Sequence, residues 1–152
     1  LGNDAEALSS LGFLVTAIDI STTCIEWCRA RFPESKVEYS VADLFTLSSS
    51  FQRAFDFVFE AYTLQVLPPD LRRRAMVQIA NCVAPDGTLL VISRGRDESD
   101  DPGKMPWPLR REELAVFVDT GLTEIEFEDY IEAEKTPVRR FRVEYRRTDE
   151  SH

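Results

Sequence analysis

The sequence predicts an α/β fold: a mostly parallel, doubly wound sheet with helices on both faces, ending in an antiparallel pair. Two observations predict it. Short apolar runs rich in β-branched or aromatic residues, such as Val15-Thr16-Ala17-Ile18 and Phe57-Val58-Phe59, alternate with stretches of helical period. Strands covered on both faces read as near-continuous apolar runs, which is what a parallel sheet between helices requires. After Gly121 the rhythm changes to alternation of apolar and charged residues. That marks half-buried strands joined as an antiparallel pair.

Asp4 to Leu11 is a short helix with Ala5, Leu8 and Leu11 on one face and Gly12 as its stop. Leu14 to Ile20 is a buried strand. Ser21 caps a helix running to about Phe32, which Pro33 ends. Val37 to Val41 is the second strand, and a Ser-rich connection, Ser48-Ser49-Ser50, follows it. Phe55 to Ala61 is the third strand. Pro68-Pro69-Asp70 opens a helix with Leu71, Ala75, Met76, Ile79, Ala80 and Val83 on one stripe. Pro85-Asp86-Gly87 is a turn into a fourth strand, Thr88 to Ser93. A polar loop runs from Arg94 to Lys104. Pro106-Trp107-Pro108 then leads into a helix carrying Leu114, Phe117 and Val118, stopped by Gly121. Leu122 to Tyr130 and Val138 to Arg147 are the alternating strands. The acidic row Glu124, Glu126, Glu128 should face the basic row Arg140, Arg142, Arg146. Such cross-strand pairs contribute roughly 0.2–1 kcal/mol each.

Composition narrows the function. The 152 residues make one domain, 1–152, without internal repeats. A net charge of −9 argues against a nucleic-acid backbone as partner, since that affinity rests on clustered Lys and Arg. No apolar run approaches a membrane span, so no membrane partner is expected. Three cysteines cannot close a disulfide framework. Cys24, Cys28 and Cys82 read as small buried hydrophobes of a reducing, cytoplasmic compartment. The only His is His152, so metal ligands are scarce and no metal is expected.

Acidic residues stand where such a sheet binds ligands, outside the carboxyl ends of its strands. Asp19 closes the first strand. A carboxylate there accepts hydrogen bonds from both ribose hydroxyls of a nucleoside cofactor, because its two oxygens lie in fixed geometry. Gly2 lies 17 residues upstream, near the ~20 expected between a cofactor-binding glycine turn and its acid. Asp43, followed by Leu44 and Phe45, is suited to an adenine amino group with an apolar wall beside it. Glu60, Ala61 and Tyr62 end the third strand, where a polar residue faces the reacting end of a cofactor.

These residues resemble the class I S-adenosylmethionine-dependent methyltransferases from Leu1 to Arg147. Leu1-Gly2-Asn3-Asp4 looks like the tail of that family's GxGxG loop. Val15 to Ser21 looks like its second strand with the ribose acid, and Ala42-Asp43-Leu44 like the adenine-contacting segment. Phe55 to Glu60 is similar to its fourth strand. Ala84-Pro85-Asp86-Gly87-Thr88 is similar to its Pro-Gly-Gly turn, with Asp in place of the first Gly. Within the family, Pro106-Trp107-Pro108-Leu109 and Leu64-Gln65-Val66-Leu67-Pro68 look most like the thiopurine methyltransferase-like branch. The resemblance implies a Rossmann-like fold whose N-terminal first strand is absent from this chain. It implies S-adenosyl-L-methionine as cofactor, bound by Gly2, Asp4, Asp19, Ile20, Asp43, Leu44, Glu60 and Ala61. Tyr62 and Trp107 would face a small-molecule methyl acceptor, such as a thiol or other soft nucleophile, under a lid formed by Arg94 to Trp107. No catalytic base is assigned. Two other readings stand beside this one: a nicotinamide-dependent oxidoreductase, and a non-catalytic binding protein on the same fold.

Overall fold

The computed structural model describes residues 1–148. They form two compact units, Leu1–Leu47 and the chain from Ser48 onward, and each is taken by itself.

The first unit holds helix α1 (Asn3–Ser10), strand β1 (Thr16–Asp19), helix α2 (Thr22–Arg31) and strand β2 (Glu38–Val41). β1 and β2 are parallel, with Thr16 opposite Glu38 and Asp19 opposite Val41. Parallel neighbours need a crossover, and α2 supplies it. The Ser21 hydroxyl starts α2 by accepting the Cys24 N–H at 3.2 Å. Arg29 and Arg31 in its last turn complement the helix dipole. Ile25, Cys28, Val37 and Tyr39 form the core, with Ala5, Val15 and Ala17 packed against it. α1 is tied down by Glu6, whose Oε1 accepts the Tyr39 hydroxyl at 2.7 Å. β1 is shorter than the Leu14–Ile20 expected from sequence. β2 offers only four residues to pair with, so Leu14 and Ile20 stay outside the ladder and exposed.

The second unit runs β3 (Phe55–Ala61), α3 (Pro69–Cys82), β4 (Val83–Arg96), β5 (Leu109–Arg110), α4 (Ala115–Asp119), β6 (Leu122–Glu132) and β7 (Val138–Arg147). The sheet order is β3-β4-β7-β6, with β5 also paired to β4. β3 and β4 are parallel across α3, and β7 is inserted antiparallel between β4 and β6. Period-two burial produces the core face. Leu89, Val91 and Ser93 of β4 lie opposite Tyr145, Val143 and Phe141 of β7, all buried. Phe117 of α4 packs its ring on Tyr145 at 5.1 Å.

Several elements depart from the sequence reading. Val83 begins β4 instead of ending the α3 stripe, because Phe55 pairs with it directly. Pro85-Asp86-Gly87 is not a turn before the strand. It is an irregularity within β4, where pairing skips from Val83 to Thr88 and Asp86 takes φ 60°. Arg94 to Arg96 belong to β4, since Arg94 pairs with Arg140 and Arg96 with Arg110. Ile125 sits at a register shift between Glu124 and Glu126, so it is exposed and not on the core face.

The facing charge rows form only in part. Arg142 binds Glu128 across the ladder, and Arg139 binds Asp129 at 2.7 Å. Glu124 instead takes Arg111 at 2.8 Å, and Glu126 lies opposite Glu144. Arg140 pairs with Glu132 and Glu134 beyond the acidic row. Arg147 is buried and donates to the carbonyls of Ala80 at 2.7 Å and Val83 at 2.9 Å. Carbonyls at a helix end lack intrahelical partners, and α3 has no basic residue in its own last turn. A guanidinium from β7 therefore closes α3.

Gly95 has a packing reason. A Cβ there would meet the buried Phe141 ring at 2.4 Å. Gly95→Ala should lower stability by ~1–3 kcal/mol through overpacking. Urea denaturation checks this, and an unchanged midpoint would contradict the packing described.

Candidate functional site

In the first unit, two carboxylates end neighbouring strands. Asp19 is the last residue of β1, and its Oδ1 accepts the Ser21 N–H at 2.8 Å. Asp43 follows β2 and caps the short 3-10 turn Leu44–Thr46, with Oδ1 accepting the Phe45 N–H at 2.9 Å. The Ala42 N–H donates to the Asp19 carbonyl at 3.0 Å, which carries the two acids to the same end of this pair of strands. In each case the turn after the strand orients the carboxylate through one oxygen, leaving the other oxygen available to a ligand donor. Ile20, beside Asp19, is an exposed apolar side chain, and Leu44 beside Asp43 is half-buried. Gly2 is the N-cap of α1 at φ 79°, and a Cβ there would meet the Tyr39 hydroxyl at 2.9 Å. Conformation and space thus both favour glycine. Asp4 is exposed in the first turn of α1.

In the second unit, Glu60 repeats the pattern at the end of β3. Its Oε1 accepts the Thr63 N–H at 2.8 Å, fixing the entry to the 3-10 turn Leu64–Val66. Unlike the two aspartates, Glu60 is buried, only 7% exposed. Burial pushes its carboxyl up to about 7, against the opposing pull of donors at Thr63 and Leu64. Ala61 is half-buried. Tyr62 takes φ 68°, donates its N–H to the Ile92 carbonyl at 3.0 Å and lies under the Arg140 guanidinium at 4.8 Å. A non-glycine residue held in this conformation is strained, and such strain clusters at ligand sites.

Trp107 is held to the same turn. Its N–H donates to the Gln65 carbonyl at 2.6 Å, and the Gln65 side chain accepts the Arg94 N–H at 2.8 Å. Arg72 completes the arrangement from α3. It donates to the Leu64 carbonyl at 3.0 Å, to Glu113 at 2.7 Å and to the Trp107 carbonyl at 3.4 Å. Sequence reasoning missed Gln65, Arg72 and Glu113. A signal was present: Arg72 stands three and four residues before Ala75 and Met76, on the apolar stripe of α3. A charge at that spacing is buried and needs partners. The network also corrects the lid expected over Arg94 to Trp107. Its two ends are fixed by β4 and by Gln65, and only the exposed stretch 97–105 lies between them.

Among the described residues, no cluster of three or more His, Cys, Asp or Glu forms. Cys28 and Cys82 are buried and unbridged, Cys24 is half-buried and unbridged, and His152 lies outside the described residues. No helix is long and apolar enough to cross a membrane. A cleft of about 290 Å³ in the second unit is lined by Arg72, Met76, Arg110, Glu113 and Val116, and none of the residues picked from sequence borders it.

A family model described as a methyltransferase domain matches residues 1–91, more than half of the chain. No curated protein sequence matches it. Among solved structures, the chain is similar to a SAM-dependent methyltransferase from Methanosarcina mazei (TM-score 0.82, 17% identity, covering 97% of this chain and 88% of that one). It is similar to the N-methyltransferase NodS from Bradyrhizobium japonicum in complex with S-adenosylhomocysteine (TM-score 0.75, 20% identity, 96% and 72% covered). It is also similar to 1,6-didemethyltoxoflavin-N1-methyltransferase from Burkholderia thailandensis (TM-score 0.75, 19% identity, 97% and 67% covered). These likenesses are of fold, a Rossmann-like α/β architecture with antiparallel strands at its end. With a family model matched from α1 into β4, the chain belongs to the methyltransferase domain family.

Proposed function

We propose that this methyltransferase passes a methyl group from S-adenosyl-L-methionine to a small-molecule acceptor, with residues 1–152 belonging to a single methyltransferase domain. The observation that carries the reading is Asp19, a carboxylate at a strand end with one oxygen fixed by its own turn. Family membership favours methyl transfer over hydride transfer to a nicotinamide. The residues present fit the donor. Asp19 is suited to accept from both ribose hydroxyls, and Asp43 from the adenine amino group. Exposed Ile20 and half-buried Leu44 suit the faces of the adenine ring. Gly2 and Asp4, at the start of α1, and Glu60 and Ala61, at the end of β3, are assigned to the rest of the donor.

When bound, S-adenosyl-L-methionine supplies an electrophilic sulfonium methyl group. The chain's task is then alignment and exclusion of water. Tyr62 and Trp107 are assigned to the acceptor. Tyr62 is held by its backbone bond to β4, and Trp107 by Gln65 and Arg72. One solved structure of similar fold contains bound 1,6-didemethyltoxoflavin, which supports a small-molecule acceptor. The likeness of Pro106-Trp107-Pro108 to the thiopurine methyltransferase-like branch supports a sulfur or other soft nucleophile. A thiolate is itself a strong nucleophile, so this chemistry needs no base from the protein.

Calorimetry should detect S-adenosylhomocysteine binding to the full chain, and Asp19→Ala should weaken it by ~1.5–3 kcal/mol, the worth of hydrogen bonds to a charged group. An unchanged affinity would mean that Asp19 does not hold the ribose. Labelled S-adenosyl-L-methionine incubated with a panel of small thiols should yield labelled thioethers. Transfer only to amines or hydroxyls would overturn the soft-nucleophile assignment.

A further inference from the structure

Near the carboxyl end of β4 stands a half-buried arginine, Arg94, whose charge is left unanswered. Its Nε is buried and has no hydrogen-bond partner among the described residues. Among those residues Arg94 forms no ion pair either. Acids are not scarce, since the chain carries 27 Asp and Glu against 18 Lys and Arg. A buried N–H without an acceptor bears its full desolvation cost. A guanidinium cannot shed its proton to escape that cost. An anionic acceptor from outside the chain would remove it.

The neighbouring charges are committed elsewhere. Across the ladder Arg94 lies directly opposite Arg140 of β7. Like charges at opposed positions repel. Arg140 is relieved by Glu132 and by Glu134, the latter at 3.2 Å, and its guanidinium lies over the Tyr62 ring at 4.8 Å. Arg94 shares neither acid. Arg96, the next residue on that face of β4, donates to the carbonyls of Pro108, Asp97, Glu98 and Asp100. The backbone meanwhile ties Arg94 to both residues assigned to the acceptor. Its own N–H donates to Gln65 Oε1 at 2.8 Å, and the Gln65 carbonyl accepts the Trp107 N–H at 2.6 Å. The Tyr62 N–H donates to Ile92, which shares the Arg94 face two residues earlier. All of these residues belong to the second unit.

We propose that Arg94 receives a carboxylate of the methyl acceptor, which makes that acceptor a small thiol acid. The inference rests on the reading of Tyr62 and Trp107 as acceptor residues. The Nε–H and one terminal N–H of a guanidinium run in parallel and match the two oxygens of a carboxylate. A single unpaired cation suits a singly charged anion. A phosphate dianion would call for a second free cation, and Arg140 already holds two acids. The contact makes and breaks no covalent bond. It fixes one end of the acceptor and leaves the thiol free for methyl transfer, so its contribution is to binding and orientation.

Kinetics of the full chain with labelled S-adenosyl-L-methionine test this. The probes are para-mercaptobenzoate, its neutral amide para-mercaptobenzamide, and para-mercaptophenyl phosphate. The wild-type chain should favour the acid over the amide by roughly tenfold in kcat/KM, the scale of a charge-assisted hydrogen bond. The preference should lie in KM, because the contact is the same before and during transfer. Arg94→Gln should raise KM for the acid about tenfold with little change in its kcat, so that acid and amide are used alike. Arg94→Lys keeps the charge without the fork and should fall between the two. Equal use of acid and amide by the wild type, or an equal loss on both thiols in Arg94→Gln, would overturn the proposal while leaving the thiol reading in place. Preference for the phosphate over the acid would overturn the carboxylate assignment. Transfer to none of the three thiols would overturn the thiol reading, and this proposal with it.

Discussion

A charge removed from water must be partnered, and Arg72 is where this constraint organises the second unit. Its guanidinium sits on the apolar stripe of α3, with its side chain 5% exposed. Each of its three nitrogens needs an acceptor nearby. The Leu64 carbonyl, Glu113 and the Trp107 carbonyl meet them. Those three groups lie on the turn after β3, on the segment before α4 and at the end of the long connection from β4. Meeting the needs of one side chain therefore gathers the segments that border the end of β3. Truncating one partner of such a pair leaves an uncompensated buried charge, which is far costlier than losing a surface ion pair.

The same constraint explains Arg147 and sets Glu60 apart. Arg147 is buried, yet it lies against the C-terminal carbonyls of α3, which need donors themselves. Glu60 is satisfied at one oxygen only. It is left half-met at a strand end, which is where α/β sheets bind ligands. Asp19 and Asp43 have the same one-oxygen anchorage but stay partly exposed. The three acids thus share a placement and differ in environment.

Much of this was legible in the sequence. Phe55–Ala61 and Val138–Arg147 have the expected bounds, because a continuous apolar run and a clean alternation each permit one period. Ser21 caps α2 as its hydroxyl and position require. The acids at strand ends were found by placement alone. Other features depend on long-range pairing that no local pattern carries. Leu14 and Ile20 fall outside β1 because β2 is short. The bulge that exposes Ile125 is a matter of register with β7. Arg147 reads locally as one more cation in a basic row, and only the closure of α3 gives it a partner. Arg72 was the informative failure, since its place on the stripe was visible and its burial should have been inferred.

The central claim is that the strand-end acids of this methyltransferase hold a nucleoside methyl donor, with Asp19 on the ribose. A crystal structure of the full chain with S-adenosylhomocysteine tests it most directly. The account predicts both ribose hydroxyls within hydrogen-bond distance of the Asp19 carboxylate and the adenine amino group on Asp43. A nucleoside bound with its ribose on other residues, and Asp19 left facing solvent, would contradict it.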